Sequence, residues 1–518
     1  MMVMHALFHF LSKHWAKAFV FVWLPWLIGC SNNVKVTKRK LKREFRAVWL
    51  TTFDHMDFPK EKGAPPSEHK QELIKLLDFH QKSGINAIFF QVRPAADAFY
   101  KSEIELWSQW LTGKQGKAPE PLWDPLEFLV TECHKRNIEL HAWINPYRAV
   151  YNIKHDATAP NHITKRHPEW FVVYGKHKQF NPGIPAVRHY LKAVVADIAQ
   201  RYDIDGIHFD DYFYPYKKGR LEFPDQSTFM KHGGNSKDVH HWRRQNVNSL
   251  IKEVHDTLQS IKPYLKFGIS PLGVWRNKSE DPNGSDTQVG QSSYDYLYAD
   301  VLKWLRKGWI DYLVPQLYWS IEHPRASFKS LAFWWAKHAY SRHIYIGHAF
   351  YKIKNDKDDH WKQVSELPNQ VRMTRQYRSI LGNAYFRSDF LQKNPAKVTD
   401  TLRQQLYKYP ALIPTMPWKN RMPPKAPQNV YIVRASSKIS LKWNAPSPAI
   451  DGDTATYYVV YRFPDQTKPD YTQPRYIRQI TRNKRYVEPM PPRSKLRYRY
   501  AVSAVDRYHN ESKPVLIH

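Results

Sequence analysis

The run Asp205-Gly206-Ile207-His208-Phe209-Asp210-Asp211 ends an apolar alternation on two adjacent carboxylates. Successive side chains of a strand point to opposite faces. Ile207 and Phe209 would then face an apolar layer, and His208 and Asp210 the other side. Asp211 is expected to aim differently unless the backbone bends. Paired carboxyl groups suit cleavage of a glycosidic bond. One stabilises or attacks the developing oxocarbenium centre, and the other protonates the leaving oxygen. By its direction Asp210 is expected to take the first role, with Asp211 as a conditional acid/base. Asp97, Asp286 and Glu322, all in loops, are further acid candidates.

The same alternation places other polar groups together. Gln91 and Arg93 share a face against Ile88, Phe90 and Val92, and His141, Trp143 and Asn145 oppose Leu140, Ala142 and Ile144. Gln316 and Tyr318 oppose Leu313, Pro315 and Leu317. Polar groups converging at several strand ends point to a ligand site, where Arg93 and Arg148 could bind a sugar carboxylate. There is no His-Glu-x-x-His, Cys cluster, Gly-x-Ser-x-Gly or phosphate loop. Neither metal nor cofactor is expected. A deacetylase-type Asp/His/His centre built on His141 and His208 is the metal-dependent alternative.

The elements that must position these groups alternate. Short β-like runs span Phe45–Thr52, Ile85–Arg93, Ile138–Asn145, Gly206–Tyr212, Lys266–Pro271, Tyr312–Tyr318, Ile344–Phe350 and Gly382–Phe386. Helical stretches such as His69–Ser83, Pro125–Arg136 and His189–Arg201 lie between them. Eight such repeats predict a TIM-type (β/α)₈ barrel over 44–421, with functional side chains at the C-terminal strand ends. The open doubly wound sheet is the rival, but its Gly-x-Gly-x-x-Gly turn is absent. From Met422 a Pro-rich linker leads into 422–518, where short strands recur. Trp443, Tyr458-Val459-Val460-Tyr461, Tyr498-Arg499-Tyr500-Ala501-Val502 and Asn510-Glu511-Ser512 there resemble a fibronectin type III sandwich, a module that commonly serves as a spacer.

Composition narrows the ligand. Aromatics reach 15%, with 19 Trp and 32 Tyr, an excess that suits stacking on sugar rings. The net charge is +32, spread along the whole chain, which favours an anionic partner. Nucleic-acid-binding motifs are absent, so a wall or surface polymer is expected rather than DNA or RNA. Of the two cysteines, Cys133 falls in an apolar-periodic stretch and is expected to be buried in a helix. Cys30 closes the motif Leu27-Ile28-Gly29-Cys30 after Lys13, Lys17 and the apolar run Ala18–Ile28. The run is too short to span a bilayer comfortably. The motif resembles a bacterial lipobox, so residues 1–29 are expected to be a signal peptide and Cys30 a lipidated first mature residue, with an uncleaved anchor or a buried helix as the alternatives. Ser31 is compatible with outer-membrane sorting, and 30–43 form a basic tether.

The strand-end sequences carry a family resemblance. Arg43-Glu44-Phe45-Arg46-Ala47-Val48-Trp49, Gln91-Val92-Arg93-Pro94 with Asp97, and His141-Ala142-Trp143-Ile144-Asn145-Pro146-Tyr147-Arg148 belong to it. So do His208-Phe209-Asp210-Asp211-Tyr212 and Gln316-Leu317-Tyr318-Trp319. Together they are similar to the glycosyl-hydrolase-like family 10, bacterial lipoproteins with a TIM barrel. The resemblance covers about residues 43–420. It implies a hydrolase of O-glycosyl bonds in peptidoglycan glycan strands stripped of stem peptides, anchored in the outer membrane and facing the periplasm. It also implies substrate contacts from Tyr147, Tyr212 and Trp319 beside Gln91, Arg93, Asp97, His141, Asn145, Arg148, His208, Gln316 and Tyr318. The run Asp205-Gly206-Ile207-His208-Phe209-Asp210 also resembles the fourth-strand motif of α-amylase-like barrels, whose last Asp is the nucleophile, which again points to Asp210. Hydrolysis of another envelope or extracellular polysaccharide, or glycan binding without catalysis, are the alternative functions.

Overall fold

The computed structural model describes residues 41–490 and 498–517. The signal segment, Cys30 and most of the basic tether lie outside the described residues. Among the described residues no helix is long and apolar enough to cross a membrane.

Eight parallel strands close into a barrel: β1 (Phe45–Leu50), β2 (Ala87–Arg93), β3 (Glu139–Ile144), β4 (Gly206–Phe209), β5 (Lys266–Ile269), β6 (Tyr312–Leu313), β7 (His343–Ala349) and β8 (Ile380–Phe386). Each pairs with its sequence neighbour, and β8 returns to β1 with Gly382 opposite Phe45. The helices Pro66–Lys82, Pro125–Lys135, Pro185–Arg201, Val239–Ile261, Val301–Lys307, Phe328–Lys337 and Glu366–Thr374 follow the first seven strands in turn. Shorter helical turns follow β8. The barrel predicted from the strand–helix alternation is thus the observed fold. Helix starts are locally encoded. Asp124 and Asp238 accept main-chain N–H groups at the N-termini of two of the helices, and Pro125 follows the first at a position where no N–H is needed. Cys133 is buried on the helix it was assigned to.

Outward side chains of the strands, including Ile88, Phe90, Leu140, Ile207 and Phe209, join the helices in one apolar layer. Inward ones, Phe45, Phe89, Tyr312 and Tyr345, fill the barrel. Two glycines make that filling possible. A Cβ on Gly268 would stand 2.0 Å from the Tyr312 ring, and one on Gly206 would stand 2.5 Å from His141 Nδ1. A directional hydrogen-bond chain threads the filled barrel. Trp49 Nε1 can only donate, so His208 Nε2, 3.2 Å away, must accept. His208 Nδ1–H then donates to the Tyr312 hydroxyl (3.1 Å), which donates to His141 Nδ1 (2.8 Å). His141 Nε2–H donates to Glu139 at 3.1 Å. Burial holds His208 well below its ordinary pKa, in keeping with a neutral ring.

The C-terminal residues form two antiparallel sheets. One orders Gln428–Arg434, Lys438–Asn444 and Arg485–Pro489; the other orders Ile477–Thr481, Tyr457–Pro464, Tyr498–Val505 and Val515–Ile517. Leu441, Trp443, Tyr458, Val460 and Val502 form their shared core. The sheets lie against the N-terminal end of the barrel. There Lys266 Nζ donates to both Glu139 oxygens at 2.6 and 2.7 Å, and His509 Nε2 lies 2.9 Å from the same carboxylate. Arg507–Asp203 (2.8 Å) and Lys42–Glu511 (2.6 Å) add to the contact, and Glu139, Lys266, Arg507 and His509 line an open pocket there.

Candidate functional site

At the opposite end, the C-terminal mouth holds an open cleft of about 800 Å³. Its lining includes Gln91, Asn145, Arg148, Asp210, Asp211 and Gln316 among the aromatic rings of Trp49, Phe53, Trp143, Tyr151, Tyr212, Tyr318 and Phe386. Among the described residues lining it, Asp210 and Asp211 are the only carboxylates.

The β4 ladder ends at Phe209, so the two aspartates lie just beyond regular pairing. Asp210 is held by N–H donors. Asn145 Nδ2 and Trp143 Nε1 (3.3 Å) donate to Oδ2, and the Tyr212 main-chain N–H donates to Oδ1 at 3.3 Å. The Asn145 amide is itself oriented. Its Oδ1 accepts from Gln91 Nε2 at 2.7 Å, and Gln91 Oε1 accepts the main-chain N–H groups of Thr52 and Phe53 at 3.0 Å each. Those donors fix which end of Gln91 carries oxygen, and so which end of Asn145 carries N–H. Asp211 accepts from the Tyr216 hydroxyl and from Gln316 Nε2 at 3.2 Å. Gln316 is steadied by a second bond, 2.8 Å, to the Ser270 carbonyl.

Burial raises both carboxyl groups, and the neighbouring Asp211 charge adds to the shift at Asp210, which is pushed up to about 7. Arg148 opposes both shifts. Its guanidinium lies over the Tyr212 ring at 4.5 Å and near the rings of Tyr151 and Phe53 at 5.6 and 5.9 Å. The two buried carboxylates titrate as a pair, and burial favours their keeping a proton at higher pH than free carboxyl groups would.

Of the residues singled out from sequence, the cleft brings together Gln91, Trp143, Asn145, Arg148, Asp210, Asp211, Tyr212, Gln316 and Tyr318. It does not bring in the rest. Arg93 is fully buried, gripping Glu105 at 2.6 to 2.9 Å, so its expected role at a sugar carboxylate is corrected to an internal ion pair. A register shift of the β2–β3 ladder between Gln91 and Arg93 breaks the alternation that put them on one face. Asp97 is buried in a separate small cavity with Gln115 and Trp110, and burial pushes it up to about 7. His141 and His208 do point inward, but into the filled barrel beneath the mouth. Tyr147 is buried in the outer apolar layer, and Trp319 packs against that layer. Asp286 and Glu322 are exposed and away from the cleft. Among the described residues no group of three His, Cys, Asp or Glu side chains could hold a metal ion.

Several lining residues were not singled out. Trp49 was readable, because it alternates with Val48 and Leu50. Tyr151 was not. It follows the short strand Arg148–Val150 of a three-stranded excursion after β3, whose return to the mouth leaves no local signature.

Residues 44–363 match the family model described as glycosyl hydrolase-like 10. The chain is 42% identical over 477 residues to glycosyl hydrolase YngK of Bacillus subtilis (strain 168), covering 91% of this chain and 92% of that one. It is 38% identical over 382 residues to glycosyl hydrolase DigH of Escherichia coli (strain K12), covering 69% of this chain and 86% of that one. Among solved structures, the glycoside hydrolase domain of PgaB (BpsB) from Bordetella bronchiseptica superposes with a TM-score of 0.45 at 13% identity, covering 70% of this chain and 98% of that domain. By the extent of the family match and the identity to these relatives, the chain belongs to glycosyl hydrolase-like family 10.

Proposed function

We propose that this protein is a lipid-anchored glycoside hydrolase that cleaves the glycan backbone of peptidoglycan, on strands denuded of stem peptides, at the periplasmic face of the outer membrane. The observation that carries the reading is a carboxylate pair, Asp210 and Asp211, sharing an aromatic-walled cleft with Arg148. The rings offer stacking faces for sugars, and the pair offers one proton and one negative charge. A denuded strand exposes a lactyl carboxylate on each disaccharide. Arg148 is a cation at the cleft to receive one, and the net charge of +32 would draw such a strand in. The sandwich, resembling fibronectin type III, acts as a spacer at the far end of the barrel.

The test is a parallel digest of denuded glycan strands, intact peptidoglycan and an exopolysaccharide, read by mass spectrometry. Soluble peptide-free fragments from the denuded strands are the expected product. Fragments from the exopolysaccharide alone would move the substrate elsewhere. Strand retention with no new reducing ends would make the protein a binder.

Two further outcomes follow. The rate should trace a bell against pH. The alkaline limb should fall near the value of about 7 that burial and Asp211 impose on Asp210, as the pair loses its shared proton. The acid limb should appear where the second carboxylate is protonated. A rate still climbing at pH 9 would remove the proton-sharing pair from the mechanism. Separately, Cys30→Ala should move the protein from the membrane to the soluble fraction of fractionated cells, whereas unchanged membrane association would point to a retained apolar anchor.

A further inference from the structure

We infer that the cleft cleaves glycosides of 2-acetamido sugars by using the substrate's own acetamido oxygen as the nucleophile, with Asp210 orienting that group and Asp211 acting as acid/base. The inference rests on the hydrolase reading above and adds the mechanism and the chemical requirement on the sugar.

Among the described residues lining it, the cleft has no carboxylate apart from the adjacent pair Asp210 and Asp211. A protein nucleophile and a separate acid flank the scissile bond, about 5–5.5 Å apart in retaining enzymes; inverting enzymes separate two carboxyl groups by about 6.5–9.5 Å to admit water. Here both carboxylates are consecutive residues leaving a single strand end. The side of the barrel facing β4 is built from β8 and β1, whose contributions to the cleft are Phe386, Trp49, Thr51, Phe53 and Met56. None of these can attack as a carboxylate or activate water.

The three partners of Asp210 are the Asn145 amide, the Trp143 indole and the Tyr212 main-chain N–H, donors at the atoms that face it. None can accept a proton from the carboxyl group, so these three bonds favour the ionised form of Asp210 and work against the burial that raises it. Two donors occupy Oδ2, and bonding that oxygen to a sugar carbon would give up both. Oδ1 keeps one acceptor direction, suited to the N–H of a 2-acetamido group. The Gln91–Asn145 relay keeps the donor set from flipping.

Asp211 differs in kind. Its partner Tyr216 is a hydroxyl, which can accept as well as donate, so the shared proton of the pair can reside on Asp211. The steps then balance. The acetamido carbonyl oxygen bonds to the anomeric carbon as the glycosidic C–O bond breaks. The bond's electron pair goes to the leaving oxygen, which takes the Asp211 proton. Asp210 accepts the amide N–H as the oxazoline ring forms. Water, deprotonated by Asp211, then opens the ring at the anomeric carbon, and the amide proton returns to nitrogen. Two inversions leave the configuration retained.

The test uses the full chain on denuded N-acetylated strands and on the same strands carrying N-trifluoroacetyl groups. The weaker nucleophile should slow cleavage by about 100-fold. Proton NMR of the first product should show the retained anomer, and a thiazoline analogue of the bicyclic intermediate should inhibit competitively. Asp211→Asn should recover cleavage when the leaving group is an activated aryl alcohol, and Asp210→Asn should not. If N-acetylated strands are cut with inversion, or equally fast when trifluoroacetylated, or if the thiazoline does not inhibit, the inference fails while the hydrolase reading stands. If no strand is cut at all, the hydrolase reading fails first and takes the inference with it.

Discussion

Asp210→Asn is expected to lower kcat/KM on denuded glycan strands by about 10³-fold or more, the scale of losing a positioned charged group at a reacting centre. The loss should fall on kcat with KM little changed, because the replacement is isosteric and the rings that would stack sugars are untouched. The asparagine carbonyl can still accept from Trp143 and Asn145, so the local network has a way to survive. Stability should not fall, and the sign can be worked out. The folded carboxyl sits near 7, above its ordinary value of 3.8, because burial and Asp211 disfavour its charge. Its ionisation therefore costs stability as pH rises from the ordinary value through the folded one, and a neutral amide removes that cost. Thermal unfolding at pH 8 should show the variant melting no lower than the parent. Full activity in a folded variant would remove Asp210 from the chemistry.

How much of this was legible follows from which rules are local. The barrel was legible because apolar alternation and helical periodicity repeat eight times, and each strand pairs with its sequence neighbour. Direction was legible wherever the ladder is regular. His141 and His208 do face inward, as their apolar neighbours require. Depth was not legible. Period-2 alternation says which side a residue faces but not how far along the barrel it lies, and both histidines fall in the layer filled by Phe89 and Tyr312. Nor were departures from the ladder. The shift after Gln91 sent Arg93 away from the mouth, while the end of β4 at Phe209 freed Asp211 from alternation and let it line the same cleft as Asp210. The partner of Arg93 could not have been named either. Glu105 lies in the loop beyond β2, and only the closed tertiary structure brings it under the guanidinium.

That ion pair carries the second large expectation. Arg93→Ala should destabilise the fold by about 3–5 kcal/mol, the cost of stranding one partner of a buried pair. Both side chains are 0% exposed, and the geometry is closely satisfied. Arg93 Nε and Nη2 donate to Glu105, Nη1 donates to the Asn145 carbonyl at 2.6 Å and the Pro146 carbonyl at 3.1 Å, and Tyr190 donates its hydroxyl to Glu105 at 3.0 Å. Removing the guanidinium leaves the Glu105 charge and two main-chain carbonyls without their donor in an apolar setting, which Phe180 closes. Because one of those carbonyls belongs to Asn145, the loss should also loosen the amide that holds Asp210, so kcat should drop together with the denaturation midpoint. Replacing both partners, Arg93→Met with Glu105→Leu, should recover much of the stability by removing the stranded charge, yet not the full rate, because no donor then fixes the Asn145 main chain. A residue that bound the substrate's carboxylate would behave otherwise. Its alanine variant would raise KM, leave the unfolding curve in place and show no dependence on Glu105. Denaturant unfolding of the two single variants and the double variant, with kinetics on each, distinguishes the two roles, and a purely kinetic phenotype for Arg93→Ala would return Arg93 to the cleft.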